Sequence, residues 1–146
     1  FEAVAAHVRE VIEKNQPEAG LDRLHTFVIK FVRTLCEARG IAVTREKPLH
    51  SLFGEYVKRL RDTGQLESEM TARILKSAIS VLAAFNDVRN NQSLAHDNPI
   101  LNYDESLLIF NHVASSVRFI RTLEQKFKRQ QLREEAAVSS DDDIPF

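Results

Sequence analysis

Apolar residues in this chain return every three or four positions, and little interrupts them. Leu21, Leu24, Val28, Phe31 and Leu35 step by three, four, three and four, which is the period of one face of an α-helix. Only 4 Gly and 4 Pro occur in 146 residues, so few positions force the backbone out of that conformation. Clusters of β-branched residues are too sparse to seed strands. The pattern predicts an all-α helical bundle of about five helices joined by short connections.

The stripes locate the elements. An opening helix from Glu2 to Lys14 packs Val4, Val8 and Val11. The second carries the Leu21–Leu35 stripe and ends at Arg39-Gly40, a basic last turn followed by a glycine suited to a left-handed cap. Leu52, Tyr56 and Leu60 mark a shorter helix that stops near Gly64. Ile74, Ala78, Val81, Phe85 and Val88 form the next stripe, aimed at Arg89. The last helix opens at Asn102-Tyr103-Asp104-Glu105, where Asn102 caps and Glu105 reaches back. It carries Leu107, Phe110, Ala114 and Val117, then Leu123 and Phe127. Residues 1–137 are thus expected to form one helical domain. From Val138 the composition collapses to Ser, Asp, Ile, Pro and Phe, which predicts a disordered acidic tail over 138–146.

Composition narrows the class. With 43% hydrophobic and 28% charged residues the chain reads as soluble and globular. The longest apolar run, Ile79 to Phe85, is roughly a third of a membrane span. No basic-then-apolar leader precedes the first helix, and the chain begins at Phe1 rather than Met, as expected of a processed chain or a piece of a longer one. The single Cys36 cannot form an internal disulfide, and no Cys/His cluster has zinc spacing. A reducing cytoplasm, no metal and no cofactor are the expectations. The net charge of -1 is unevenly spread. Asp141, Asp142 and Asp143 sit at the end, and without them the body is about +2. Between Arg118 and Arg133 the bases face one acid, Glu124, as a solvated helix face or a phosphate-facing surface would.

The stretch VRNNQSLAHDNP, Val88 to Pro99, carries the candidate chemistry. Arg89 is followed by Asn90, Asn91, Gln92 and Ser93, neutral hydrogen-bonding groups that do not compete for an anion. His96 comes seven positions after Arg89. If the helix carries through, that spacing returns the two to one face about 10 Å apart; if it breaks, the chain can bring them closer. The plainer alternative has both binding backbone carbonyls at a helix end, with Asp97 pairing one of them. A second Arg-to-His spacing, Arg45 to His50, has Glu46 beside its arginine to pair with the cation and Pro48 marking a helix start. It reads as structural.

The segments LDRLHTFVIKFVRTLCEARGI (Leu21 to Ile41) and VRNNQSLAHDNPILNYDESLLIFNHVASSVRFIR resemble the C-terminal domain of abortive-infection proteins, a branch of the HEPN superfamily of helical domains. The resemblance covers roughly Leu21 to Phe127. It implies a signature of Arg, a polar residue, then His after four to six intervening residues, matched by Arg89, Asn90 and His96 at the upper spacing limit. It also implies a metal-independent ribonuclease acting as a dimer, two copies of the motif meeting across the interface. Superfamily toxins silenced by nucleotidylation carry Tyr two residues after the His; Asn98 stands there in this chain, and Tyr103 is distant.

The residues suit that chemistry. RNA brings its own nucleophile, the ribose 2′-OH. His96 can take its proton or protonate the 5′-oxygen leaving group, with a pKa near working pH. One imidazole cannot easily do both, whereas a dimer supplies two. Arg89 is permanently charged and forks onto two phosphate oxygens, and Asn90 orients the phosphate or a histidine. The products are a 2′,3′-cyclic phosphate and a 5′-OH. Leu75, Ile79, Leu82, Phe119 and Ile120 fall outside the narrow stripes and are expected to leave surface for a second copy. The rival reading is a catalytically idle helical module that binds protein or nucleic acid.

The remaining candidates read as structural or as docking elements. His25 and His112 lie within helices as packing or capping residues, and His7 and His50 have no recognisable partners. Cys36, beside the Leu35 stripe, reads as a buried small side chain with no base to activate it. The last residues, Asp141, Asp142, Asp143, Ile144, Pro145 and Phe146, resemble the acidic C-terminal tip of bacterial single-stranded DNA-binding protein. That implies partners among the proteins that recognise such a tip, through the ring and α-carboxylate of Phe146 and steering by the aspartates.

Overall fold

A computed structural model describes residues 1–14, 16–92 and 103–141, the side chains of 85, 86 and 88–92 excepted. Five helices follow in order: α1 (Glu2–Glu13), α2 (Pro17–Ala38), α3 (Leu49–Asp62), α4 (Glu69–Gln92) and α5 (Tyr103–Asp141). Among the described residues there is no strand, so the all-α expectation holds. The chain forms two compact units, Phe1–Ser116 and Val117–Phe146, the second holding the latter part of α5.

Two helix ends follow directly from glycine. At the end of α2, Gly40 adopts φ 70°, its N–H bonds Glu37 O at 3.1 Å, and the Ile41 N–H bonds Cys36 O at 2.9 Å. This pair of bonds satisfies carbonyls that the helix itself leaves open. α3 ends the same way: Gly64 has φ 73°, its N–H bonds Arg61 O at 3.1 Å, and Gln65 N–H bonds Leu60 O at 2.9 Å. The Arg59 guanidinium reaches the Arg39 carbonyl at 2.6 Å, tying the end of α2 to α3. Any side chain at either glycine would strain a left-handed backbone.

In the first unit α1 packs on α2, α2 on α3, α3 on α4, and α4 also touches α2. The core is continuous: Val8 and Ile12 of α1, Leu21, Leu24, Val28 and Val32 of α2, Phe53, Tyr56, Val57 and Leu60 of α3, and Leu75, Ala78 and Leu82 of α4 are essentially inaccessible. Leu52, Tyr56 and Leu60 are buried as their spacing required. α1 approaches α2 at Gly20, where an added Cβ would lie 3.0 Å from Ile12 Cγ1 and 3.2 Å from the Val8 carbonyl oxygen. In α5, Ser106, Phe110, Val113 and Ala114 are buried. The Arg9 guanidinium lies 5.6 Å from the Phe110 ring centroid, so α1 also meets the first part of α5 through a cation–π contact.

Several faces are rotated from the expected ones. α1 buries Ala5, Val8 and Ile12, whereas Val4 and Val11 are half-buried. α4 buries Ala72, Leu75, Ala78, Ile79 and Leu82, and leaves Ile74 48% exposed and Met70 65% exposed. Leu75, Ile79, Leu82 and Ile120 therefore lie in the protein's own core, and of the five residues expected to be spare only Phe119 is exposed. α4 carries two adjacent apolar arcs, and its neighbours α2 and α3 cover the one with more aliphatic volume. α5 extends to Asp141, carrying helix into the segment expected to be tail. Ala136 and Ala137 are strong helix formers, and their carbonyls accept from Ser139 and Ser140 at 3.0 and 2.8 Å. The rest of the proposed docking tip, Asp142 to Phe146, lies outside the described residues.

Candidate functional site

α4 carries the first two members of the motif. Ser68 Oγ accepts from the Thr71 N–H at 3.2 Å, capping the start of the helix, and the helical backbone then runs unbroken through Arg89 and Asn90 to Gln92. His96 lies outside the described residues, together with Ser93, Asp97 and Asn98. It follows Gln92 by four positions, a stretch that spans at most about 14 Å. Seven residues make nearly two turns, so position 89 lies in register with Leu82 and Leu75, both buried. Position 90 lies in register with Ala83 and one turn beyond Asp87, along the neighbouring side of the helix.

That neighbouring side borders a cavity of about 360 Å³. It is lined by His25, Ile29 and Arg33 of α2, Lys47 and Pro48 of the connection, Leu49, His50 and Leu52 of α3, and Ala83 and Asp87 of α4. His25, Ile29 and Arg33 recur every four residues, one line along α2 beside its buried stripe. Pro48 precedes α3 with an extended backbone and no side-chain cap, so the positive end of that helix opens at the cavity. Lys47 is already held: its Nζ bonds the Glu55 carboxylate at 2.9 Å and the Ala42 carbonyl at 3.1 Å. Among the described residues nothing holds Arg33: its Nε is buried without a hydrogen-bond partner, and neither Arg33 nor Asp87 takes part in an ion pair. Burial holds the His25 imidazole below its ordinary pKa, so that ring is neutral at pH 7 and can both donate and accept.

The sequence did not single out this cluster. His25 read as a packing or capping residue and His50 as a histidine without recognisable partners, and the one available signal was the four-residue recurrence of His25, Ile29 and Arg33. The pairing expected at the Arg45–His50 spacing is not found: among the described residues no ion pair joins Arg45 to Glu46, Lys47 with Glu55 fastens the segment instead, and His50 lines the cavity. Cys36 is fully buried, and its Sγ donates to the Leu52 carbonyl at 3.4 Å. Burial, then the Glu55 charge, pushes its thiol up to about 11.

A second electrostatic feature lies within the latter unit. Lys126, Arg129, Gln130 and Arg133 line a recess of about 330 Å³ on α5. Their spacing of three, one and three puts them on one helix face, the arrangement that either a solvated face or a phosphate-facing surface presents. Among the described residues no group of three or more His, Cys, Asp or Glu is placed to hold a metal ion, and no helix is long and apolar enough to cross a membrane.

Residues 2–124 match the Abi_C family model, described as a HEPN-like domain. The chain belongs to that family. The matched span contains α1 to α4, the whole Arg89–His96 stretch and the start of α5, so the candidate motif lies inside the HEPN-like domain. The family assignment places the chain in the context of abortive infection. Neither a curated protein nor a solved structure matches the chain.

Proposed function

We propose that this HEPN-like domain is a metal-independent endoribonuclease of an antiviral system, with Arg89, Asn90 and His96 as its catalytic set. The observation that carries the reading is the unbroken helix through Gln92. A helical backbone fixes the positions of Arg89 and Asn90 along α4, and the short covalent distance from Gln92 allows His96 to reach the same phosphodiester. The 2′-oxygen forms a bond to phosphorus as the P–O5′ bond breaks. One imidazole accepts the 2′-OH proton, and a protonated imidazole from a second copy supplies the proton to O5′. Arg89 neutralises the charge that builds on the non-bridging oxygens. The α5 face of Lys126, Arg129 and Arg133 is a separate basic surface of the latter unit, suited by itself to RNA phosphates.

A homodimer completes this scheme, and Met70 and Ile74 are exposed apolar residues available to a second copy. They stand one turn apart on the helix that carries Arg89. The test is cleavage of cellular RNA in EDTA, with His96→Ala as control and sedimentation of the same sample. Expected are chelator-resistant cutting to 2′,3′-cyclic phosphate ends, a loss of about 10²- to 10⁴-fold in the variant, and a dimer. Cleavage that stops with EDTA, or that ignores the substitution, removes the assignment; a fully active monomer removes the composite site.

A further inference from the structure

We propose that the cavity between α2, α3 and α4 is a nucleobase pocket that seats one guanine of the RNA strand beside the scissile phosphate. This rests on the ribonuclease reading for its substrate class and on the cavity for everything else.

Size comes first. About 360 Å³ is at the small end of ligand sites, suited to one nucleoside rather than to a folded or peptidic guest. The walls are Ile29, Pro48, Leu49, Leu52 and Ala83, apolar surfaces against which the faces of a flat ring can lie. Opposite charges line the same space. Arg33 offers donors, one of them buried and unused, and Asp87 offers two acceptor oxygens. The two make no ion pair with each other or with any described residue, so both are available to a guest.

Guanine bridges them with the correct polarity on each side. Its O6 and N7 accept from an arginine fork, while its N1–H and 2-amino group donate to a carboxylate. Adenine presents an amino group where guanine has O6, and so meets Arg33 with a donor. Uracil and cytosine lack N7 and the second ring. A bare phosphate fits less well, because Asp87 repels it and the apolar walls cannot solvate it. The neutral imidazole of His25 adds a partner without adding charge, and the first-turn amides of α3 at Leu49 and His50 favour an acceptor at that end.

Position explains the link to cleavage. Asp87 and Arg89 are about 3 Å apart along the helix axis but roughly 200° apart around it, whereas Asn90, one turn beyond Asp87, continues the line of Ala83 and Asp87, so the pocket and the motif share one end of α4. A base held in the cavity would leave its ribose-phosphate at the end of α4, where the motif stands. The pocket selects the nucleotide, and the motif cuts next to it.

The experiment follows the histidine ring resonances of the full chain during titration with guanosine, adenosine, cytidine and uridine 5′-monophosphates. Guanosine monophosphate is expected to shift His25 and His50 saturably, leaving His7 and His112 in place. Asp87→Asn should weaken guanosine monophosphate by about 5- to 150-fold, the discrimination of one good bidentate contact, without weakening adenosine monophosphate. Asp87 is exposed, so this variant keeps the fold even if Arg33→Met, the complementary test, does not. Equal response to all four nucleotides, no response at His25 and His50, or guanosine binding untouched by Asp87→Asn would each overturn the pocket. RNA cleavage without guanine preference, in a protein that binds no guanosine monophosphate, removes the pocket and spares the ribonuclease. Selective guanosine binding without any RNA cleavage upholds the pocket and removes the ribonuclease.

Discussion

Alanine at Gly20 and alanine at Gly54 are the same chemical change inside two helices, yet their effects should have opposite signs. In an exposed helix interior, replacing Gly by Ala stabilises by about 1 kcal/mol, because glycine loses more backbone freedom on folding. Gly54 in α3 has nothing within 4 Å of an added Cβ, so it should show nearly the whole gain. Gly20 in α2 has Ile12 Cγ1 at 3.0 Å and the Val8 carbonyl oxygen at 3.2 Å. Ile12 is fully buried, and the Val8 oxygen belongs to the α1 backbone. Overpacking of this kind costs about 1–3 kcal/mol, which cancels the propensity gain and leaves a net loss of about 0–2 kcal/mol. Urea unfolding reads both: a shift of 1 kcal/mol moves the midpoint by about 0.3–1 M, upward for Gly54→Ala and downward for Gly20→Ala. A double-mutant cycle with Ile12→Ala should show coupling, since removing Ile12 Cγ1 relieves the contact. If Gly20→Ala stabilises as much as Gly54→Ala, or if the cycle is additive, the α1–α2 approach through Gly20 is incorrect.

Cys36, buried with its thiol near 11, is about one part in a thousand thiolate at pH 8. Labelling by a disulfide reagent should therefore be slow in the native protein and accelerate with urea; rapid stoichiometric labelling without denaturant would contradict the burial. His25 has a folded pKa below its ordinary 6.5, so the unfolded chain takes up the proton first. Stability should fall as pH drops through 6.5 and level off below the folded value. The urea midpoint lost between pH 7.5 and 5.5 should be smaller in His25→Gln than in the parent, and equal losses would refute the linkage. On α5, Arg129→Ala should lower RNA affinity and reduce the slope of log affinity against log salt by about 0.7–0.9; an unchanged slope would take this face out of the RNA path.

The helical class was legible in residues alone, because the three-to-four-residue period and the scarcity of breakers act within a few positions of themselves. So were the ends of α2 and α3, where Gly40 and Gly64 adopt the positive φ that any other residue resists, and the Leu52–Tyr56–Leu60 face of α3. The family resemblance was legible too, through Arg89, Asn90 and His96 in their spacing, although His96 lies outside the described residues. Which arc of an amphipathic helix is buried was not. α4 offers Met70 and Ile74 on one side and Leu75, Ile79 and Leu82 on another, and period alone weighs them similarly. α1 could have used Val4 and Val11, but the contact at Gly20 turns Ala5, Val8 and Ile12 inward. The gathering of His25, Arg33, His50 and Asp87 around one cavity was not legible either: the His25–Ile29–Arg33 recurrence marks one line of α2, but His50 and Asp87 join it from two other helices remote in sequence. Local propensity chooses the element. Burial is a contest among distant surfaces, and only the packed structure settles which faces meet and which polar groups are left looking for a guest.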